Sequence, residues 1–110
     1  MKYIYLLQLE GTDLYKIGFT KNNPNKRVKS LQTGSPHKIV LIDQYQTVMA
    51  TTIESILHRS MKSKKYIAED GFMLLGEWFK LELSDVKEFQ SRCKRIEENL
   101  RILKETSTLN

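Results

Sequence analysis

The chain has 110 residues and a formal net charge of +5, enough for one domain with a modest core and ordinary in its share of apolar and charged residues. Its one cysteine, Cys93, excludes an internal disulfide, no Cys/His cluster has zinc-ligand spacing, and no apolar run is long enough for a membrane span or a signal peptide core, so a cytoplasmic protein with no membrane partner is expected. Residues 1–80 hold 12 Lys and Arg against 7 Asp and Glu, while residues 81–110 hold 6 of each, so the whole excess of positive charge lies on the first part, as suits a polyanion such as nucleic acid.

Tyr3 to Thr20 reads as a hairpin: two apolar runs, rich in β-branched and aromatic residues, flank the break Glu10-Gly11-Thr12-Asp13. Strands are expected over 2–9 and 14–20. With the four break residues as the loop, Leu9 faces Leu14, Leu7 pairs with Lys16 and Tyr5 pairs with Gly18. Paired residues share a face, and the period of two then gathers Tyr5, Leu7, Lys16 and Gly18 together.

A helix over 24–33 follows, with Asn23 as N-cap, Pro24 at the first helical position and Gly34 as C-cap. Only Val28 and Leu31 are available to dock it, and Lys26, Arg27 and Lys29 read most simply as a solvated face. Lys38 to Gln46 is apolar on both alternations and is expected to be the third and central strand. Met49 to Lys65 reads as a second helix, with Ile53, Ile56, Leu57 and Met61 at helical spacing and Thr51 as candidate N-cap.

Glu54 and His58, four apart, fall on one border of that apolar stripe and can reach a common site. Thr51-Thr52-Ile53-Glu54 also matches a capping box, and Glu54 with His58 also fits a plain surface pair. Lys62, Lys64 and Lys65 close the helix where cations suit its dipole.

Residues 66–72 read as a loop, and 73–81 as a turn into an edge strand anchored by Trp78 or Phe79. From the N-cap Ser84 a last helix is expected to about Glu105. Its residues Val86, Phe89, Cys93, Ile96, Leu100 and Leu103 form a heptad-type seam, which either packs back on the domain or forms a homodimer through the 84–105 helix. Cys93 on this seam reads as core. The fold class is thus a small α/β (α+β) domain: a three-stranded, mainly antiparallel sheet flanked by helices, over 1–82, with a C-terminal helix in 83–110.

Tyr3-Ile4-Tyr5 followed by Lys16-Ile17-Gly18 resembles the paired GIY and YIG tripeptides of the GIY-YIG nuclease superfamily. Tyr3 stands where the first motif has Gly, and Lys16 where the second has Tyr. With KIG in the second motif and the string Gly76-Glu77-Trp78-Phe79, the chain is similar to a phage-associated branch of small domains. The resemblance covers residues 3–81 and rests on order and spacing: a tyrosine, KIG beginning eleven residues after Tyr5, Arg27 nine residues after Gly18, Glu54, then GEWF.

What the resemblance implies is a metal-dependent DNA endonuclease working by a one-metal mechanism. Glu54 would ligate one Mg²⁺ or Mn²⁺, Tyr5 would deprotonate or orient the attacking water, Lys16 would supply positive charge beside it, and Arg27 would clamp the scissile phosphate. His58 is either a half-buried helix histidine or a group near that phosphate, and Glu77 either a structural hydrogen-bond partner or a support near the metal. Gly18 supports the site, and Lys21, Lys26 and Lys29 are candidate contacts to the DNA. The alternatives are a DNA-binding module of the same fold with little or no catalysis, and an interaction protein acting through the C-terminal seam.

Overall fold

The computed structural model describes residues 1–67 and 76–108, without the side chains of 107 and 108. Strands β1 (Lys2–Leu9) and β2 (Leu14–Thr20) form the antiparallel hairpin, with Tyr5 opposite Gly18 and Leu7 opposite Lys16, the register that the apolar pattern and the four-residue break predict. Gly11 supplies the left-handed backbone of the turn, at φ 77°. Strand β3 (Ile39–Thr47) pairs antiparallel with the other side of β1, and β4 (Phe79–Lys80) pairs with β2 at Leu14 and Tyr15.

The sheet therefore has four strands in the order β3-β1-β2-β4. The fourth is the edge strand read around Trp78 and Phe79, which adds one to the three strands expected from the long apolar runs. The position of β3 differs from expectation: it lies at an edge, and β1 is central. Strand β1 is buried on both faces, with Ile4 and Leu6 on one side and Tyr5, Leu7 and Leu9 on the other. In β3 the apolar run is broken by a bulge: Leu6 pairs with Asp43 and Leu7 with Leu41, so Ile42 is skipped and exposed.

Helix α1 (Pro24–Thr33) begins as its sequence predicts, with the Asn23 side chain accepting the Asn25 N–H at 2.9 Å. Gly34 closes it at φ −93°, outside the left-handed region expected of a glycine cap. Val28 and Leu31 pack it over Tyr5, Leu7, Leu9 and Trp78. Helix α2 (Ala50–Ser60) covers the opposite face, where Ile53 and Leu57 join Ile4, Leu6 and Ile17.

Helix α2 is shorter than the expected 49–65 at both ends. Thr51 lies inside it, so the capping box with Glu54 does not form; instead Thr47 Oγ1 accepts the Met49 N–H at 3.1 Å just ahead of the helix. At the other end Met61 turns into the core, its N–H is shared between the Leu57 and His58 carbonyls, and Lys62–Lys64 continue as a 3₁₀ turn.

The last helix is two helices, α3 (Leu83–Lys87) and α4 (Phe89–Thr108), and Ser84 is not the cap. Asp85, within α3, accepts the Glu82 N–H at 3.0 Å and is paired with Lys64 at 2.6 Å and Arg92 at 3.2 Å. That buried carboxylate ties the start of α3 to the 3₁₀ turn and to α4. Phe89 and Cys93 are buried with Ile4 and Ile53, and Ile96 and Leu100 pack against the same cluster, while Leu103, at the end of the seam, is 66% exposed.

Glu97 accepts hydrogen bonds from Tyr45 Oη at 2.6 Å and from Thr47 Oγ1, fixing α4 to β3. Burial, reinforced by the Glu97 carboxylate, pushes the Tyr45 phenol up to about 12. Burial likewise pushes the Cys93 thiol up to about 12, which fits a core residue and not a nucleophile. Most of the loop expected at 66–72, and residues 73–75 ahead of β4, lie outside the described residues. Among the described residues no helix is long and apolar enough to cross a membrane.

Candidate active site

Because β4 spans two residues, it covers β2 only at Leu14 and Tyr15, and the stretch from Lys16 to Thr20 has no strand partner on that side among the described residues. An unpaired strand edge exposes backbone polar groups and lets side chains from both faces of the sheet meet. There they line an open cleft of about 390 Å³ that gathers Tyr5, Lys16, Gly18, Arg27, Glu54, His58 and Glu77.

Tyr5 and Lys16 approach from the α1 face. Tyr5 is only 3% exposed, and its ring lies across Gly18: a Cβ placed on that glycine would stand 2.3 Å from the phenol oxygen. The absence of a side chain at 18 therefore makes the room through which the hydroxyl reaches the cleft. Lys16 sits diagonal to Tyr5 on the hairpin, its ammonium 5.9 Å from the centre of the Trp78 ring. A Cβ on Gly76 would come within 2.2 Å of Lys16 Nζ, so this second glycine, at φ 82°, leaves space for the ammonium. Arg27, one turn into α1, extends from the exposed surface of that helix into the cleft.

Glu54 and His58 come from α2, on the other face. They are one helical turn apart, with His58 Nε2 3.0 Å from Glu54 Oε1. His58 Nε2 also donates to the Ile17 carbonyl at 2.6 Å, a direction fixed because a carbonyl can only accept, and this satisfies one polar group of the open β2 edge. On its other side Nδ1 lies 3.2 Å from Glu77 Oε2, and Lys65 holds the second oxygen of Glu77 at 3.1 Å. The ring rests edge-on against Phe79, with centroids 5.0 Å apart. His58 is thus held in one orientation by a carbonyl, two carboxylates and an aromatic face.

Burial and the neighbouring Arg27 guanidinium hold the Lys16 ammonium below the usual lysine range, against the raising influence of Glu77 and Glu54. Hydrogen bonds from Lys65 and His58 hold the Glu77 carboxyl below the usual carboxylate range. Both shifted groups line the same cleft, and clustered perturbed groups in a cleft mark a functional site.

Every residue expected near the reacting phosphate is brought to this edge. Lys21, Lys26 and Lys29 are exposed and are not among its walls. Sequence reasoning took Trp78 and Gly76 for packing and turn residues, whereas both also fix the Lys16 ammonium. It took Lys65 only for a cation closing the second helix, whereas Lys65 secures Glu77. The close spacing of Gly76, Glu77, Trp78 and Phe79 carried that signal, since Trp78 joins the cluster under α1 and Phe79 the cluster under α2, on either side of the sheet beside Glu77.

A divalent cation fits the donor set in one way. Among the described residues no group of three or more His, Cys, Asp or Glu side chains is disposed as a metal cage. Glu54 is 18% exposed at the cleft, and one carboxylate completed by water and substrate phosphate oxygens is how Mg²⁺ is commonly bound.

Comparison with protein families shows that the model described as the T5orf172 domain matches residues 2–95. No curated protein and no solved structure matches the chain at a significant level.

Proposed function

The chain belongs to the T5orf172 domain family, a phage-associated group, and from that membership and the cleft at the open β2 edge we propose that it is a metal-dependent DNA endonuclease with a GIY-YIG-like centre. The observation that supports this most is the convergence of a phenol, an ammonium, a guanidinium, a carboxylate and an oriented imidazole, from both faces of the sheet, on one open cleft.

Hydrolysis of a phosphodiester forms a bond from water oxygen to phosphorus and breaks the bond from phosphorus to the 3′ oxygen, which leaves with a proton. It requires an activated water and stabilisation of charge on the phosphoryl and leaving oxygens. Arg27 binds the non-bridging oxygens, where its planar fork outperforms a lysine. Tyr5 deprotonates or orients the attacking water, and Lys16, diagonal to it on the hairpin, supplies positive charge beside it. Glu54 holds one Mg²⁺ or Mn²⁺, which when bound neutralises charge on the phosphate and the leaving oxygen. His58 holds one oxygen of Glu54 and would lie near the phosphate, and Glu77, held by Lys65, fixes His58.

A labelled duplex incubated with Mg²⁺ or Mn²⁺ is expected to yield fragments with 5′-phosphate and 3′-hydroxyl ends, and none in EDTA. The second reading is a DNA-binding module of the same fold without catalysis, favoured by Tyr3 and Lys16 in place of the motif Gly and Tyr. Salt-sensitive DNA binding with no metal-dependent cleavage would replace the first reading by the second.

A further inference from the structure

Next to the catalytic cleft lies a second open groove of about 310 Å³, walled by Arg59, Lys62, Lys65 and Phe79, and the two share His58 and Glu77 as a common rim. Resting on the nuclease reading above, we propose that this second groove holds the DNA phosphates that flank the scissile one.

The charges argue for the assignment. Among the walls of the catalytic cleft, Lys16 and Arg27 are matched by Glu54 and Glu77, so the cleft has little net attraction for a polyanion. Among the described residues the neighbouring groove carries Arg59, Lys62 and Lys65 against Glu77 alone. A nucleic acid strand presents a charge about every 3.4 Å of helix rise, so cations immediately beside the scissile position are where adjacent phosphates fall.

Lys65 is partly engaged by Glu77, but Arg59 and Lys62 are exposed and form no ion pair among the described residues. The backbone places them together. Arg59 lies in the last turn of α2, one residue after His58, and Met61, buried in the core, tightens the chain into the 3₁₀ turn that carries Lys62. Lys65 is held to the sheet by its bridge to Phe79. The groove thus shares its supports with the catalytic centre, and a strand lying in it passes over His58.

The test is binding of the full chain to a fluorescent duplex in EDTA, measured as the slope of log affinity against log salt. Arg59→Ala/Lys62→Ala is expected to lower the slope by about 2, close to one phosphate per residue, with a similar loss of affinity on unrelated sequences. Lys87→Ala/Lys94→Ala, an equal change of charge on α3 and α4, is expected to leave the slope unchanged. Arg59→Lys/Lys62→Arg, which keeps the charge, is expected to restore it. An unchanged slope in the Arg59/Lys62 alanine variant while the wild type binds DNA would overturn the proposal and leave the nuclease reading standing. Equal losses in both alanine variants would overturn it too, by showing a general charge effect. A wild type that neither binds nor cleaves DNA would overturn both readings.

Discussion

The phenol of Tyr5 occupies the space that a side chain at Gly18 would need: the two residues are cross-strand partners, and a Cβ at 18 would stand 2.3 Å from the hydroxyl oxygen. Gly18→Ala must therefore displace a ring that is almost wholly buried. The expected cost is about 1–3 kcal/mol of stability, as for other overpacked cores, with a fall in cleavage of about 100-fold from the misplaced hydroxyl. Tyr5→Phe keeps the packing and is expected to lose cleavage while the urea midpoint stays near wild type. Equal cleavage by Tyr5→Phe and wild type would remove Tyr5 from the mechanism.

Gly11 and Gly76 separate strain from chemistry. Both have left-handed backbone, at φ 77° and 82°, but a Cβ on Gly11 meets nothing within 4 Å, while one on Gly76 comes within 2.2 Å of Lys16 Nζ. Each alanine variant is expected to lose about 1–2 kcal/mol from the backbone conformation alone. Only Gly76→Ala is expected to lose cleavage as well, because only there is the ammonium displaced. Parallel urea titrations and cleavage rates check this.

Acid sensitivity should centre on Asp85 and Glu97. Burial raises Asp85, but the hydrogen bonds from Lys64 and the Glu82 N–H, with the Lys64 and Arg92 charges, outweigh it and leave the carboxyl below its ordinary 3.8. Hydrogen bonds from Thr47 and Tyr45 hold Glu97 below its ordinary 4.5. A carboxyl that binds its proton less readily when folded stabilises the fold above its unfolded value and loses that contribution as pH falls through the folded one. Urea midpoints should accordingly be flat from pH 7 down to about 5 and fall below about 4. Asp85→Asn is expected to cost about 1–3 kcal/mol at pH 7, since it leaves Lys64 and Arg92 without their buried partner, and to flatten the acid limb.

The elements governed by local chemistry were legible in the sequence. The hairpin register followed from the period of two and a four-residue break, and the start of α1 from Asn23-Pro24. What depended on competition between distant groups was not. The stretch Lys38 to Gln46 reads as a central strand, but the bulge at Ile42 lets one face of it meet solvent. Thr51 and Ser84 are good caps by residue type, yet Thr47 and Asp85 serve the backbone there, because each is also held by a partner from another element. In the site, the pairing of Tyr5 with Gly18 and of Glu54 with His58 could be read from spacing. That the two pairs meet across the sheet depends on β4 being only two residues long, which no periodicity records.

The central claim is that the cleft at the β2 edge hydrolyses DNA through a cation held by Glu54. The most direct measurement is cleavage of supercoiled plasmid by wild type and Glu54→Ala, purified identically, in Mg²⁺, in Mn²⁺ and in EDTA. The account predicts nicked and linear products from the wild type with either metal, none in EDTA, and none from the variant. Equal cleavage by the two proteins, or none by a folded wild type that binds the plasmid, would contradict it.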